Sequence, residues 1–266
     1  MIFKTVEIDN AKLSLYVLSN YKEINPNRRR PLIVICPGGG YHFCSEREAE
    51  PVAIKFCSYG FNAAVLKYSL NPEMNPDIKL YPAPQQELAD SIAYIRNHSE
   101  ELNTDPNMVV GLGFSAGGHL VASVGCMCEQ FNKNGRPDAM VLCYAATSYI
   151  PEAYHNCFTN LYGRDDRLKE DLSLENMVNK NTPPAYIWDA NPDNNPTVIS
   201  SILFKKAMDK HGIPNEIHLF KTGEHGLSIA TKEVVNKNHS KCNSEVAVWP
   251  ELVRDWLLKQ FGDNWY

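Results

Sequence analysis

Short, continuous apolar runs alternate along this chain with segments of helical periodicity, and this alternation restricts the possible folds more than any other feature. A continuous apolar run suits a strand that is covered on both faces, as in a parallel sheet between two helical layers. The pattern therefore predicts an α/β fold with a mostly parallel central sheet and helices on both faces. The predicted strands are 31–36, 61–68, 108–114, 140–144, 185–189 and 216–221.

The remaining elements complete a single predicted domain over residues 1–266. Apolar residues alternate with polar ones on either side of Asp9-Asn10, which predicts an antiparallel hairpin at the N-terminus. Residues 148–182 are polar and weakly periodic, so we expect an insertion or a lid there. Apolar residues at helical spacing predict helices at 52–57, 84–95, 116–126, 199–207 and 249–257.

Composition and charge argue against several classes of function. The formal charge of −5 does not favour a nucleic acid or an anionic membrane as a partner. The first ten residues lack the apolar core of a signal peptide, and no later run reaches the roughly 18 apolar residues of a membrane span. Among the eight cysteines, Cys126-Met-Cys128 has no second pair with which to bind zinc. We expect a reduced, cytoplasmic protein without a metal ion.

A serine lies between a predicted strand and a predicted helix, in the pentapeptide Gly113-Phe-Ser-Ala-Gly117. This sequence matches the G-x-S-x-G turn, which exposes Ser115 at the end of the sheet as a nucleophile. A helix that begins there also points free N–H groups at negative charge beside the serine. The alternative is a serine that only caps the helix. His119, one turn along this helix, is expected to have a structural role.

A histidine and one of two aspartates could complete a catalytic triad with Ser115. His225 follows the strand predicted at 216–221, where its ring can take the proton of a serine hydroxyl. Asp189 ends the preceding strand, and Asp193 lies in the loop after it. The chain order of serine, aspartate and histidine is the one expected of an α/β hydrolase. Either aspartate could instead be a turn residue.

A glycine run supplies a further part of the predicted site. The segment 37–40, Pro-Gly-Gly-Gly, follows the strand at 31–36, and glycines there let backbone amides approach a ligand closely. Together with the N–H of Ala116, these amides could form an oxyanion hole. A phosphate-binding loop is the rival interpretation, but neither G-x-G-x-x-G nor G-x₄-G-K-[ST] occurs here.

With these features combined, the sequence resembles the α/β hydrolases of the esterase/lipase group. More narrowly, it resembles the acetyl-xylan-esterase-like bacterial carbohydrate esterases, nearly from end to end. The segments that carry the resemblance are 35–41, 45–53, 113–120, 182–188 and 226–228. The resemblance implies an α/β-hydrolase fold and a serine esterase without a cofactor. Its expected partner is a small-molecule or oligosaccharide ester, and a homo-oligomer is compatible with it.

The resemblance also implies the roles of individual residues. Ser115 is the expected nucleophile and His225 the base. The expected oxyanion donors are the amides of Gly39, Gly40 and Ala116.

The acid is less well defined by the resemblance. The acid loop of the similar esterases reads Asp-x-x-Val-Pro, whereas this chain has Asp193-Asn-Asn-Pro-Thr197. We favour Asp193 as the acid, with Asp189 as its rival. We expect Tyr41, His42 and the 148–182 segment to contact the alcohol part of the ester.

The expected substrate is a short-chain ester, such as an acetyl group on a carbohydrate. An arylformamidase or a small serine peptidase could use the same triad, and a binding protein could retain the fold without catalysis.

Overall fold

The computed structural model describes residues 1–190, 197–237 and 242–262. Eight strands in this part of the chain form one sheet in the order β1-β2-β4-β3-β5-β6-β7-β8. The first two strands form the predicted antiparallel hairpin, β2 pairs antiparallel with β4, and every other neighbouring pair is parallel. The strands are β1 (Ile2–Ile8), β2 (Ala11–Val17), β3 (Arg30–Cys36), β4 (Asn62–Lys67), β5 (Thr104–Phe114), β6 (Ala139–Cys143), β7 (Ala185–Ala190) and β8 (Asn215–Phe220).

Helices cover both faces of the sheet, as the continuous apolar runs predict. Side chains alternate between the faces along each strand, so that Leu32 and Val34 of β3 lie in one apolar core and Ile33 and Ile35 in the other. Helices α2, α3 and α6 cover the first core, whereas α1 and α7 cover the second. The helices are α1 (Glu50–Cys57), α2 (Ala83–Asn97), α3 (Ala116–Met127), α4 (Pro151–Tyr162), α5 (Asp166–Asp171), α6 (Thr197–Lys210) and α7 (Trp249–Phe261).

The 148–182 segment is helical and is anchored in the protein. It contains α4 and α5, and Phe158, Leu161 and Tyr162 of α4 are buried in the core that α3 also contacts. The carbonyl of Leu161 accepts hydrogen bonds from the amides of Leu80 and Tyr81, both at 3.0 Å. The weak periodicity of the segment therefore conceals a packed helix.

Within the described residues, the helices are all too short or too polar to cross a lipid bilayer. The longest of them, α2, has 15 residues.

The parallel strands end at one edge of the sheet, and the loops that leave them meet there. The loops after β3, β5 and β8 carry the glycine run, the serine and the histidine of the predicted site. In open parallel sheets, ligands bind beyond the carboxyl ends of the strands. This edge is therefore the place where the fold brings the predicted residues together.

Candidate active site

Ser115 lies on a strained turn between β5 and α3. Its φ of 51° and ψ of −115° belong to a region of backbone conformation that residues other than glycine rarely adopt. The amide of Ser115 donates to the carbonyl of Cys143 at 3.0 Å, which fixes the turn against β6. Its hydroxyl makes no capping hydrogen bond to α3. The geometry therefore differs from that of a capping serine and leaves the hydroxyl free to face the cleft.

Two glycines permit this turn, because the neighbouring backbone leaves no space for side chains. A Cβ atom on Gly117 would lie 2.0 Å from the carbonyl oxygen of Cys36. A Cβ atom on Gly113 would lie 2.2 Å from the carbonyl oxygen of Gly117. The two glycines of the G-x-S-x-G motif thus let the first turn of α3 press against the end of β3.

The structure brings His225 and Ser115 together, as the sequence predicts. The Nε2 atom of His225 lies 3.0 Å from the Oγ atom of Ser115, within hydrogen-bonding distance. His225 is exposed to solvent, and its ring packs against the Tyr144 ring, with 4.9 Å between ring centroids. Arg47 donates to the carbonyl of the next residue, Gly226, at 2.7 Å and so restrains the histidine loop.

Backbone amides of the glycine loop are available beside Ser115. Gly39 and Gly40 have φ values of 128° and 62°, which orient this loop in a way that side chains with a Cβ atom rarely allow. In the described part of the chain, their amides donate to no other protein group. The amide of Ala116 is the first of α3 and has no partner within the helix. Three N–H groups are thus available as oxyanion donors.

A cleft of 270 Å³ opens at this site and is the space in which a reacting group could lie. Phe43 supplies its large apolar side chain, which is 52% exposed. Across the three described ranges, no group of three or more His, Cys, Asp or Glu side chains is arranged to bind a metal ion. The cleft is lined by Gly39, Gly40, Phe43, Ser45, Arg47, Glu48, Ser115, His225 and Gly226.

Two predicted substrate-contacting residues, Tyr41 and His42, are not among the residues that line this cleft. Tyr41 has a φ of 58°, which turns its side chain into the core, where it is fully buried. His42 is half-buried and lies edge-on to Phe43, with 5.7 Å between ring centroids. Phe43 therefore takes the place predicted for Tyr41 and His42 as the aromatic side chain of the cleft wall.

Tyr41 is a partner of His119, for which a structural role was predicted. The Tyr41 hydroxyl lies 2.8 Å from Nδ1 of His119, and the hydroxyl of Tyr162 lies 3.5 Å from its Nε2. Burial lowers the pKa of His119 to about 3, because the charged imidazolium would be taken out of water. His119 is therefore a neutral core residue beneath the glycine loop.

The two candidate acids differ in what the structure describes. Asp193 lies outside the described residues. Asp189 is fully buried, and its carboxylate accepts hydrogen bonds from the amide of Ala190 at 2.8 Å and from the hydroxyls of Thr197 and Ser201 at 3.1 and 3.0 Å. Burial raises the pKa of Asp189 to about 6. Asp189 thus joins the end of β7 to the first turns of α6.

Sequence reasoning missed a buried carboxylate that adjoins the site. The carboxylate of Glu48 accepts the amide N–H of Gly38 at 2.8 Å and the hydroxyl of Tyr144 at 2.6 Å. Asn160 of α4 was also missed; it donates to the carbonyl of Gly40 at 2.8 Å. Glu48 falls in the 45–53 segment that carries the resemblance, which was a signal that this segment has a role near the site.

Known proteins are similar to this chain over most of its length. The BD-FAE family profile matches residues 18–208. Over 219 residues, which are 79% of this chain and 34% of the relative, the sequence is 31% identical to endo-1,4-beta-xylanase B of Butyrivibrio fibrisolvens. Over 216 residues, which are 78% of this chain and 42% of the relative, it is 30% identical to the acetylxylan esterase of Xylanibacter ruminicola. The chain thus spans less than half the length of either curated relative.

A solved structure with a similar backbone is that of an acetyl ester-xyloside bifunctional hydrolase from Caldicellulosiruptor lactoaceticus. The two chains superpose with a TM-score of 0.79 and 34% sequence identity. The match covers 95% of this chain and 88% of the other. The similarity therefore extends over most of this chain.

Proposed function

This chain belongs to the BD-FAE family of carboxylic ester hydrolases with an α/β-hydrolase fold, and we propose that it is a serine esterase that removes short acyl groups from carbohydrates. The observation that carries the proposal is the 3.0 Å approach of His225 Nε2 to Ser115 Oγ, on a strained turn beside free amides. Nucleophile, base and oxyanion donors meet in one cleft, as acyl transfer requires.

In the first half of the proposed reaction, Ser115 Oγ attacks the ester carbonyl carbon. Its proton passes to Nε2 of His225. The negative charge that develops on the carbonyl oxygen is stabilised by the amides of Gly39, Gly40 and Ala116. The alcohol then leaves with the proton from His225, so that the acyl group remains on the serine.

In the second half, a water molecule takes the place of the alcohol. His225 removes a proton from the water, whose oxygen attacks the acyl carbon, and the same amides stabilise the second tetrahedral intermediate. The bond to Ser115 Oγ breaks, the proton returns from His225 to Oγ, and the carboxylic acid leaves. His225 is an exposed residue, so solvent water is available beside the cleft.

We assign the acid of the triad to Asp193. The rival, Asp189, already holds Ala190, Thr197 and Ser201 through both of its carboxylate oxygens. These contacts support a structural role for Asp189 in framing the loop that carries Asp193. Asp193 would then fix the tautomer of His225 and stabilise the imidazolium.

Two observations favour a short acyl group on a sugar. The cleft of 270 Å³ lies below the range of about 300–1,000 Å³ that drug-sized ligands occupy. The exposed Phe43 offers one apolar wall, which suits a small acyl group or the apolar face of a sugar ring. The names of the acetylxylan esterase and the acetyl ester-xyloside hydrolase point to the same class of ester.

The test compares wild type with Ser115→Ala, Asp189→Asn and Asp193→Asn. Acetate release from acetylated xylo-oligosaccharides is measured beside hydrolysis of p-nitrophenyl acetate, butyrate and octanoate. We expect acetate to be preferred and Ser115→Ala to lose roughly 10⁵–10⁶ in kcat. Asp193→Asn should lose about 10⁴-fold, because an amide at this position favours the wrong tautomer of the histidine.

Asp189→Asn is the matched control for the acid. An asparagine can accept hydrogen bonds through only one oxygen, so this variant should lower the urea midpoint of unfolding yet retain more kcat per folded molecule than Asp193→Asn. Activity that survives Ser115→Ala would contradict the mechanism. A wild type that hydrolyses formamides or peptides but no acetyl ester would assign the same triad to an arylformamidase or a peptidase.

A further inference from the structure

A chain of buried hydrogen bonds connects the two loops that flank Ser115. The amide of Gly38 donates to Oε2 of Glu48 at 2.8 Å, and the Tyr144 hydroxyl donates to Oε1 of Glu48 at 2.6 Å. The amide of Ser228 donates in turn to the Tyr144 hydroxyl oxygen at 3.0 Å. Gly38 precedes the two oxyanion glycines, and Ser228 follows His225 by three residues. This series of hydrogen bonds therefore joins the oxyanion loop, which contains Gly39 and Gly40, to the loop that carries His225.

The direction of each bond fits an ionised carboxylate at Glu48. A backbone amide can only donate, so Gly38 N–H must point at Oε2 and Ser228 N–H must point at the Tyr144 oxygen. The Tyr144 hydroxyl proton is then directed at Oε1. Both oxygens of Glu48 thus accept, although burial raises the pKa of this carboxyl group. Such a carboxylate forms charge-assisted hydrogen bonds, which are about twice as strong as neutral ones.

The two side chains that form this series of hydrogen bonds, Glu48 and Tyr144, are held in place by their surroundings. Glu48 is 3% exposed, and Tyr144 is 1% exposed. Tyr144 has a φ of 39°, a strained conformation for a tyrosine, and its ring packs between the rings of Trp188 and His225, with 4.9 Å to each centroid. Strain of this kind persists where the surrounding structure fixes it, and it is concentrated at functional sites.

Ser228, at the other end of this series of hydrogen bonds, is itself held by three hydrogen bonds. The amide of Ser228 is bound by Tyr144, its hydroxyl donates to the carbonyl of Arg47, and its own carbonyl accepts the indole N–H of Trp249 at 2.9 Å. A shift of Glu48 or Tyr144 would therefore move the loop of His225 relative to the glycine loop. Misplacement by about 1 Å can cost about 100-fold in rate.

We propose that Glu48 and Tyr144 are positioning residues that fix the distance between the oxyanion loop and His225 across Ser115. The inference rests on the proposed esterase function for its kinetic consequence, but the hydrogen bonds can be tested without it. Neither side chain takes or gives a proton in the proposed reaction. They act by holding the amides of Gly38 and Ser228.

The test uses Tyr144→Phe, Glu48→Gln, the double variant and a matched control, Tyr186→Phe. Tyr186 is a buried tyrosine on the neighbouring strand β7, and within the described residues its hydroxyl has no hydrogen-bond partner. Tyr186→Phe therefore reports the effect of removing a buried phenol hydroxyl that holds nothing. Tyr144→Phe removes only the hydroxyl and keeps the ring that packs against His225.

Kinetics on p-nitrophenyl acetate should separate the variants. We expect Tyr144→Phe and Glu48→Gln each to lower kcat about 10- to 100-fold with less than about 3-fold change in KM, whereas Tyr186→Phe stays within about 2-fold of wild type. Because the two residues act through one chain, the double variant should lose little more than the worse single variant. Equal kcat for Tyr144→Phe and Tyr186→Phe, or fully additive losses, would overturn the proposal.

Amide hydrogen exchange followed by NMR provides the readout that does not depend on activity. The Ser228 amide should exchange at least about 10-fold faster in Tyr144→Phe than in Tyr186→Phe. The Gly38 amide should likewise exchange faster in Glu48→Gln than in wild type. Unchanged exchange of both amides would refute the hydrogen-bond chain even in an active esterase. Faster exchange in a protein without esterase activity would instead refute only the proposed function.

Discussion

The strained backbone at Ser115 predicts that a glycine at this position stabilises the fold although it abolishes the activity. Its φ of 51° and ψ of −115° suit glycine, and such a conformation costs other residues about 1–3 kcal/mol. We therefore compare Ser115→Gly with Ser115→Ala. Both variants lack the proposed nucleophile, but only the glycine variant releases the strain of a Cβ atom.

The expected difference follows from the same geometry. Glycine increases the conformational entropy of the unfolded chain, which offsets about 0.4–1 kcal/mol of the strain energy released. The loss of a half-buried methyl group offsets a few tenths of a kcal/mol more. A net gain of about 1 kcal/mol remains for Ser115→Gly over Ser115→Ala. With an m-value of about 2.5 kcal/mol/M, the urea midpoint should rise by about 0.4 M.

Urea unfolding followed by the fluorescence of the buried Trp188 and Trp249 measures this difference. The control is the pair Ser58→Gly and Ser58→Ala, at an exposed serine with an ordinary φ of −65°. There the glycine variant should be the less stable one, by about 0.5–1 kcal/mol. A Ser115→Gly midpoint at or below that of Ser115→Ala would refute the claim that this turn is strained.

Two further predictions concern the core beneath the glycine loop. Below pH 6.5 His119 binds a proton in the unfolded chain but not in the folded one. Between pH 7 and 5, the unfolding free energy should therefore fall by about 2 kcal/mol more in wild type than in His119→Gln. Urea titrations that give parallel pH profiles for the two proteins would exclude this. Asn160→Ala removes the hydrogen bond to the Gly40 carbonyl and should lower kcat several-fold. The control is Asn156→Ala, at an exposed position one turn earlier in α4, which should leave kcat unchanged. Equal kcat values in the two variants would contradict the role of Asn160.

Most of the fold could be predicted from the sequence, because its signals are local. The continuous apolar run at 31–36 marks β3 as buried on both faces, and the hairpin around Asp9-Asn10 shows the alternation of a half-exposed pair. The approach of Ser115 and His225 was predictable for a similar reason: both follow strands that end at the same edge of a parallel sheet.

The supporting contacts could not be predicted in this way. Glu48 and Tyr144 are separated by 96 residues, and no periodicity in the chain relates them. Tyr41 was expected at the cleft because it follows the glycine run, but its φ of 58° turns it inward and leaves Phe43 on the cleft wall. Unlike the turn at Ser115, which the flanking glycines mark, the positive φ of Tyr41 is not indicated by the sequence.

The anchoring of α4 has a consequence for any change to the 148–182 segment. Asn160 donates a hydrogen bond to the carbonyl of Gly40 in the glycine loop, and Phe158 packs against His119 with 5.3 Å between ring centroids. The segment with the weakest periodicity is thus attached to the glycine loop and to the core beneath it. Replacing this segment in the present chain would therefore disturb the glycine loop together with the segment itself. A change in α4 would therefore require matching substitutions on the other side of these contacts.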